Sequence, residues 1–101
     1  MAQVTDYSIL FYGTSDGYSN NRAQIHLSNN GTSLGFVRFH DDGMTFPADS
    51  ESGSIIYMHL PSSAYAGVID MLRNESPINF YFASSHAFLG TSTEGVGEGE
   101  S

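Results

Sequence analysis

The chain has 101 residues and no cysteine, and it carries eleven acidic residues against three arginines and no lysine, a formal net charge of −8. This length suits one domain, and the absence of cysteine excludes disulfides, thiolate metal sites and a cysteine nucleophile. The charge argues against nucleic acid as a partner, because binding to phosphates depends on basic side chains.

The first residues do not show the basic stretch followed by apolar residues that marks a signal peptide. No apolar run approaches the ~20 residues that are needed to span a membrane. We therefore expect a cytoplasmic protein that has no membrane contact.

The first predicted strand covers residues 7–12, an apolar run that ends at Gly13. A polar loop follows at 13–21, and its length makes it a candidate binding loop. Residues 22–27 and 34–40 are predicted to form a hairpin, because the Asn30-Gly31 dipeptide between them is favoured in a type I′ turn. The expected register pairs Leu27 with Leu34, Ile25 with Phe36, and Ala23 with Arg38, and puts these side chains on one sheet face.

Residues 44–53 read as an exposed loop, and residues 54–60 as a fourth strand. A single amphipathic helix is then predicted over about 62–73, with Ser62 or Ser63 as its cap. Its apolar stripe has helical spacing and consists of Tyr65, Val68, Ile69 and Leu72.

Residues 78–83 and 86–89 are the last two predicted strands, and the composition from 91 onward indicates a flexible acidic tail. The expected fold class is α+β. It consists of a mainly antiparallel curled sheet, a barrel or roll of about six strands in the order β-β-β-β-α-β-β, with one helix packed on it. Residues 1–90 would form a single β-rich domain and residues 91–101 the tail.

No pattern of chemistry-bearing residues points to catalysis. The four histidines come from different predicted strands, and no pair has the helical spacing of a metal motif. A nucleophile elbow is also missing. We therefore predict no catalytic, metal-binding or cofactor-binding residues, no cofactor, and a protein that is not an enzyme.

Aromatic side chains in the predicted strands are the most informative feature for function. One helix covers only one face of a six-stranded sheet, so either the sheet closes on itself or another chain covers the second face. The first hypothesis is a self-associating protein-interaction domain, expected to be a homodimer, that can also bind another protein.

Two alternatives stay open. The first is a small-ligand-binding barrel or roll with a cavity between the helix and the sheet, whose ligand-facing groups would be Arg38, Tyr57, His59 and Tyr81. The second is a single-stranded nucleic-acid-binding roll with stacking aromatics, which the net charge of −8 disfavours.

The segment Leu72-Arg73-Asn74-Glu75 before Pro77, together with the ending Val96-Gly97-Glu98-Gly99-Glu100, carries a resemblance. In these features the chain resembles small bacterial proteins of unknown function, over about two thirds of its length. Since no activity is assigned to those proteins, the resemblance implies no function and no site residues.

Overall fold

Residues 2–91 are the part of the chain that this computed structural model describes, and they contain eight strands and one α-helix. The helix α1 covers Tyr65–Asn74 and follows a 3₁₀ turn at Ser62–Ala64. The strands are β1 Ala2–Val4, β2 Asp6–Phe11, β3 Ala23–Asn29, β4 Thr32–His40, β5 Ser50–Ser52, β6 Ile55–Pro61, β7 Ile78–Ala83 and β8 His86–Thr91.

The α+β class with one helix is confirmed for these residues, and each of the six predicted strands is present. The strand order differs from the prediction because two short strands, β1 and β5, were not predicted from the sequence. Thr91 is the last residue of β8, and the rest of the predicted acidic tail lies outside the described residues.

The strands form two open sheets, so the single curled sheet that was predicted is not found. The larger sheet has the order β2-β3-β4-β6-β5 and the smaller sheet the order β1-β7-β8. All neighbouring strands are antiparallel except β4 and β6, which are parallel. The chain crosses between the sheets at Thr5, whose N–H donates to Ser28 O at 2.9 Å and whose hydroxyl accepts the Asn30 N–H at 2.7 Å.

One buried cluster joins the two sheets and the helix. Phe39 of the larger sheet, Val68 of the helix and Phe80 of the smaller sheet all belong to it. The Tyr65 ring also packs edge-on against Phe39, with ring centroids 5.1 Å apart. The helix and the smaller sheet therefore cover the same face of the larger sheet. This face is formed by Ala23, Ile25, Leu27, Val37, Phe39 and Ile56.

The predicted helical stripe is confirmed, with Val68 buried and its other members packed against the core. The capping prediction is wrong, because neither the 3₁₀ turn nor the helix has a side-chain cap. The Ser62 hydroxyl donates instead to Asp41 Oδ1 at 2.6 Å, which ties the start of the helical segment to the end of β4.

The hairpin register agrees with the sequence prediction only next to the turn. Asn30 and Gly31 both have positive φ, at 47° and 89°, and Asn29 pairs with Thr32. Beyond Ser28 a β-bulge shifts the register by one residue. The pairs are then Leu27 with Gly35, Ile25 with Val37, and Ala23 with Phe39.

The shift reverses the predicted faces of β4. Val37 and Phe39 are fully buried, whereas Phe36 and Arg38 lie on the opposite face. The physical reason is the close approach of β4 to β6. Gly35 has a φ of +152°, and a Cβ atom there would lie 2.1 Å from the Ile56 carbonyl oxygen.

We expect Gly35→Ala to lower the free energy of unfolding by about 2–4 kcal/mol, because the methyl group meets backbone that cannot move away cheaply. Gly31→Ala is the matched control, since its φ is also positive at +89° but no atom lies within 4 Å of the added Cβ. It should cost about 1–2 kcal/mol from the left-handed backbone alone. Urea unfolding of both variants measures the difference, and equal losses would contradict the close approach of Gly35 to the Ile56 backbone.

Candidate functional site

The second face of the larger sheet, which we call the open face, lies opposite the helix and the smaller sheet. The pairing of β3, β4 and β6 puts six half-buried side chains on it: Gln24, His26, Phe36, Arg38, Tyr57 and His59. These residues are aromatic, cationic or amide-bearing. The open face therefore differs in chemistry from the aliphatic and aromatic face that forms the core.

Arg38 lies over two aromatic rings at the centre of the open face. Its guanidinium carbon is 5.4 Å from the Phe36 ring centroid and 5.0 Å from the Tyr57 centroid. The two rings are stacked, with centroids 5.7 Å apart and an interplanar angle of 15°. We call Arg38, Phe36 and Tyr57 the Arg38 platform. Each of its cation–π contacts contributes on the order of 0.5–1 kcal/mol at an exposed site.

Two neighbouring side chains hold the platform in place. Gln24 Oε1 accepts a hydrogen bond from Arg38 Nε at 3.0 Å. The His26 ring lies 4.9 Å from the Phe36 ring and is itself hydrogen-bonded to Ser33 Oγ at 2.8 Å. Because these contacts exist before any ligand arrives, the guanidinium is held in one orientation.

The four residues predicted to face a ligand are divided between the two sheets. Arg38, Tyr57 and His59 are neighbours on the open face, with Arg38 opposite His59 in the β4–β6 register. Tyr81 lies on the smaller sheet, where its ring stacks on Phe88 with centroids 5.1 Å apart. The helix packs on the other face of the larger sheet. Arg38, Tyr57 and His59 therefore do not line a space between the helix and that sheet.

His40 and His59 form a hydrogen-bonded pair at the end of the open face. His40 is 2% exposed, and its Nδ1 lies 2.5 Å from the Asn20 carbonyl oxygen. A carbonyl only accepts, so His40 Nδ1 carries the proton and its Nε2 accepts from His59 Nδ1 at 2.9 Å. Both ring nitrogens of His40 are therefore occupied, and His59 Nε2 is the nitrogen of the pair left for other contacts.

The environment of His59 lowers its pKa below the ordinary value of 6.5. Burial is the largest cause, and the proximity of the His40 ring and of the Arg38 guanidinium adds to it, because a second positive charge is unfavourable beside them. Asp49 acts in the opposite direction, and its Oδ1 accepts the His59 backbone N–H at 2.8 Å. The neutral form of His59 is thus favoured in the folded protein.

Asp41, directly after β4, joins two loops to the helix start. It accepts hydrogen bonds from Ser62 and from Arg22, whose Nε lies 2.8 Å from Asp41 Oδ2. These two bonds hold the pKa of the Asp41 carboxyl below its usual range, with the Ser62 bond the larger cause. Arg22 also donates to the Tyr12 and Ser15 carbonyls at 2.6 and 3.1 Å. The predicted binding loop at 13–21 is thereby anchored to the sheet at its first half.

The β2 edge of the larger sheet is the second surface of interest. β2 pairs with β3 on one side and is the terminal strand of its sheet. Its side chains are largely solvent-exposed, with Ile9 at 41%, Leu10 at 53% and Phe11 at 60%. Phe11 contacts Tyr65 of the helix, with ring centroids 4.9 Å apart.

Within residues 2–91, no group of three or more His, Asp or Glu side chains could hold a metal ion. The one α-helix of these residues has ten residues, which is too short to span a bilayer.

No protein-family model matches the chain, and no curated protein or solved structure is significantly similar to it.

Sequence reasoning missed Phe36 as a surface residue, because the expected register placed it with the core. The available signal was Gly35, since an isolated glycine inside a strand often marks a bulge. The His40–His59 pair was missed for another reason. It depends on the parallel pairing of β4 with β6, and no local pattern in either strand indicates that pairing.

We expect the free energy of unfolding to fall as the pH is lowered from about 7.5 to 5.5. A lowered folded-state pKa means that the unfolded chain binds more protons below about 6.5, so stability is lost as pH decreases through that value. Because His59 is only partly buried, the slope should be a fraction of the about 1.4 kcal/mol per pH unit that one full proton gives.

His59→Asn tests this assignment, because the asparagine amide can still donate to His40 but does not titrate. The variant should show a flatter dependence of the free energy of unfolding on pH, measured by urea unfolding at several pH values. His86→Asn is the control, since His86 is exposed on β8. An unchanged slope in His59→Asn would show that His59 is not the group responsible.

Proposed function

We propose that this protein is a non-enzymatic, self-associating interaction domain, in which the β2 edge pairs with β2 of a second copy. The observation that carries the proposal is the exposure of three consecutive apolar side chains, Ile9, Leu10 and Phe11, on the terminal strand of a sheet. Exposed apolar edge strands are templates for pairing with another chain, and monomeric proteins usually block them with charges or bulges.

The other sheet edges are less suited to pairing. β1 and β5 have three residues each, and β5 consists of Ser50, Glu51 and Ser52. β8 has six residues, but it exposes one large apolar side chain, Phe88, and contains Gly90. Of the edges formed by residues 2–91, β2 therefore best combines length with apolar side chains.

The backbone of β2 supports the same pairing. The Tyr12 N–H donates to Arg22 O at 2.9 Å. In the register that continues from this bond, the backbone N–H and C=O groups of the even-numbered residues of β2 point toward β3. In an antiparallel pair the hydrogen-bonding groups alternate along the strand. The N–H and C=O groups of Ile9 and Phe11 therefore point away from β3, in the direction from which a second strand would approach.

The apolar surface of β2 continues onto the helix. Phe11 contacts Tyr65, and Tyr65 and Ile69 line a groove of about 510 Å³ that also includes Asp70 and Arg73. Antiparallel pairing of two β2 strands would place the two helices on the same side of a ten-stranded sheet. Ile9 and Phe11 would then be buried at the contact between the two copies. This burial would stabilise the dimer by about 25 cal/mol per Å² of apolar surface, in addition to the backbone hydrogen bonds.

We expect Ile9→Pro to abolish the dimer while leaving the monomer folded. Proline removes an N–H that faces away from β3, so the monomer loses no internal hydrogen bond. Sedimentation velocity over a range of protein concentrations measures the monomer–dimer equilibrium, and circular dichroism checks the fold. A folded Ile9→Pro variant that dimerises as tightly as the parent chain would exclude β2 pairing.

The contribution of the β2 side chains to the dimer is tested with two matched variants. Leu10→Ser should weaken the dimer by about tenfold, as expected when burial of one leucine is lost. Phe88→Ser removes a similarly exposed side chain from the β8 edge and should leave the equilibrium unchanged. A strict monomer at all concentrations of the parent chain would overturn the proposal itself.

We also expect salt to strengthen the dimer. Each copy carries a formal net charge of −8, so two copies repel each other at long range, and β2 carries Asp6 but no basic residue with which to form an ion pair across the strand contact. Raising the ionic strength from about 0.01 M to 0.1 M shortens the Debye length from about 30 to 10 Å and screens this repulsion. Sedimentation at both salt concentrations tests this expectation. A dimer that weakens with salt would point to a contact held by ion pairs instead.

A further inference from the structure

Arg38 has unused binding capacity on the open face. Arg22 is neutralised by Asp41, whereas Arg38 has no carboxylate within ion-pair distance among residues 2–91. Its Nε is held by Gln24, and the N–H groups on its two Nη atoms make no hydrogen bond within that part of the chain. These are the donors with which an arginine binds a carboxylate in a bidentate manner.

The surroundings of Arg38 reduce the side-chain entropy that is lost when a ligand binds. The Phe36 and Tyr57 rings and the Gln24 amide fix the plane of the guanidinium, so little side-chain entropy is lost when a ligand binds. Arginine and aromatic residues are also the residue types enriched at the energetic centres of protein interfaces.

We propose that the Arg38 platform binds an extended peptide segment of a partner protein, through an Asp or Glu carboxylate flanked by aromatic side chains. The carboxylate pairs with the two Nη groups of Arg38, and the flanking side chains pack on the Phe36 and Tyr57 rings. His26 and Gln24 lie at the polar rim of this contact. The proposal does not depend on β2 pairing, because the platform lies on β4 and β6.

The charge of the chain decides between a carboxylate peptide and a nucleic acid. A single-stranded nucleic acid would suit the stacking rings, but it brings one negative charge per nucleotide to a chain of net charge −8. Its affinity would depend on several basic groups, and Arg38 is the one arginine on this face. A peptide with one carboxylate between apolar side chains adds a single charge, which Arg38 matches.

The test uses N-acetyl-Phe-Glu-Phe-amide as the probe and N-acetyl-Phe-Gln-Phe-amide as its neutral counterpart. Binding to the full chain is followed by NMR, through the Arg38 side-chain N–H signals and the Phe36 and Tyr57 ring signals. The glutamate peptide should shift these signals and bind about tenfold more tightly than the glutamine peptide, the size of one charge-assisted hydrogen bond.

Three variants make the assignment specific. Arg38→Gln should weaken binding of the glutamate peptide about tenfold, and Arg38→Lys should fall between, since lysine keeps the charge but not the planar pair of donors. Arg73→Gln is the control, because Arg73 carries the same charge on the helix, which packs on the face of the larger sheet opposite the platform. Circular dichroism confirms that each variant is folded.

Three results would overturn the proposal. Equal affinity for the two peptides would show that no carboxylate is recognised. Unchanged binding in a folded Arg38→Gln variant would place the site elsewhere. Tighter binding of single-stranded oligothymidylate than of the glutamate peptide, lost in Arg38→Gln, would assign the platform to nucleic acid instead.

Discussion

Gly35 lies against the Ile56 carbonyl at the point where β4 takes up its extra residue, and the two faces of the larger sheet depend on this contact. With any side chain at position 35, β4 and β6 could not approach to pairing distance. Because the bulge moves the register by one residue, Val37 and Phe39 enter the core. The same shift puts Phe36 and Arg38 on the outer face, where the Arg38 platform forms.

The arrangement of layers explains why one face of the larger sheet is an apolar core and the other carries aromatic, cationic and polar side chains. The helix and the smaller sheet both pack on one face of the larger sheet, so the apolar side chains of the core are gathered there. The open face is left with rings, an arginine and two histidines, which tolerate partial hydration because each has a polar atom or a cationic neighbour. Such side chains suit a surface that alternates between water and a partner.

Local features of the fold were predictable from the sequence, and those that depend on distant contacts were not. The helix stripe and the Asn30-Gly31 turn follow from spacing and from backbone conformation over a few residues. The bulge depends on Ile56, twenty-one residues after Gly35, and the two-sheet division depends on where Thr5 is held.

For the candidate site, aromatic and charged character was enough to nominate Arg38, Tyr57 and His59 from the sequence. Tyr81 has the same character, and only the tertiary structure separates it from them.

The terminal position of β2 has a consequence for valency. Antiparallel pairing of two β2 strands in one continuous sheet requires a twofold axis perpendicular to that sheet, so the two open faces lie on the same side. A dimer of this kind would present two Arg38 platforms in one plane. A partner with two acidic segments on a short flexible tether would meet the second platform at an effective concentration in the millimolar range. Two contacts that are weak individually would then hold the partner firmly.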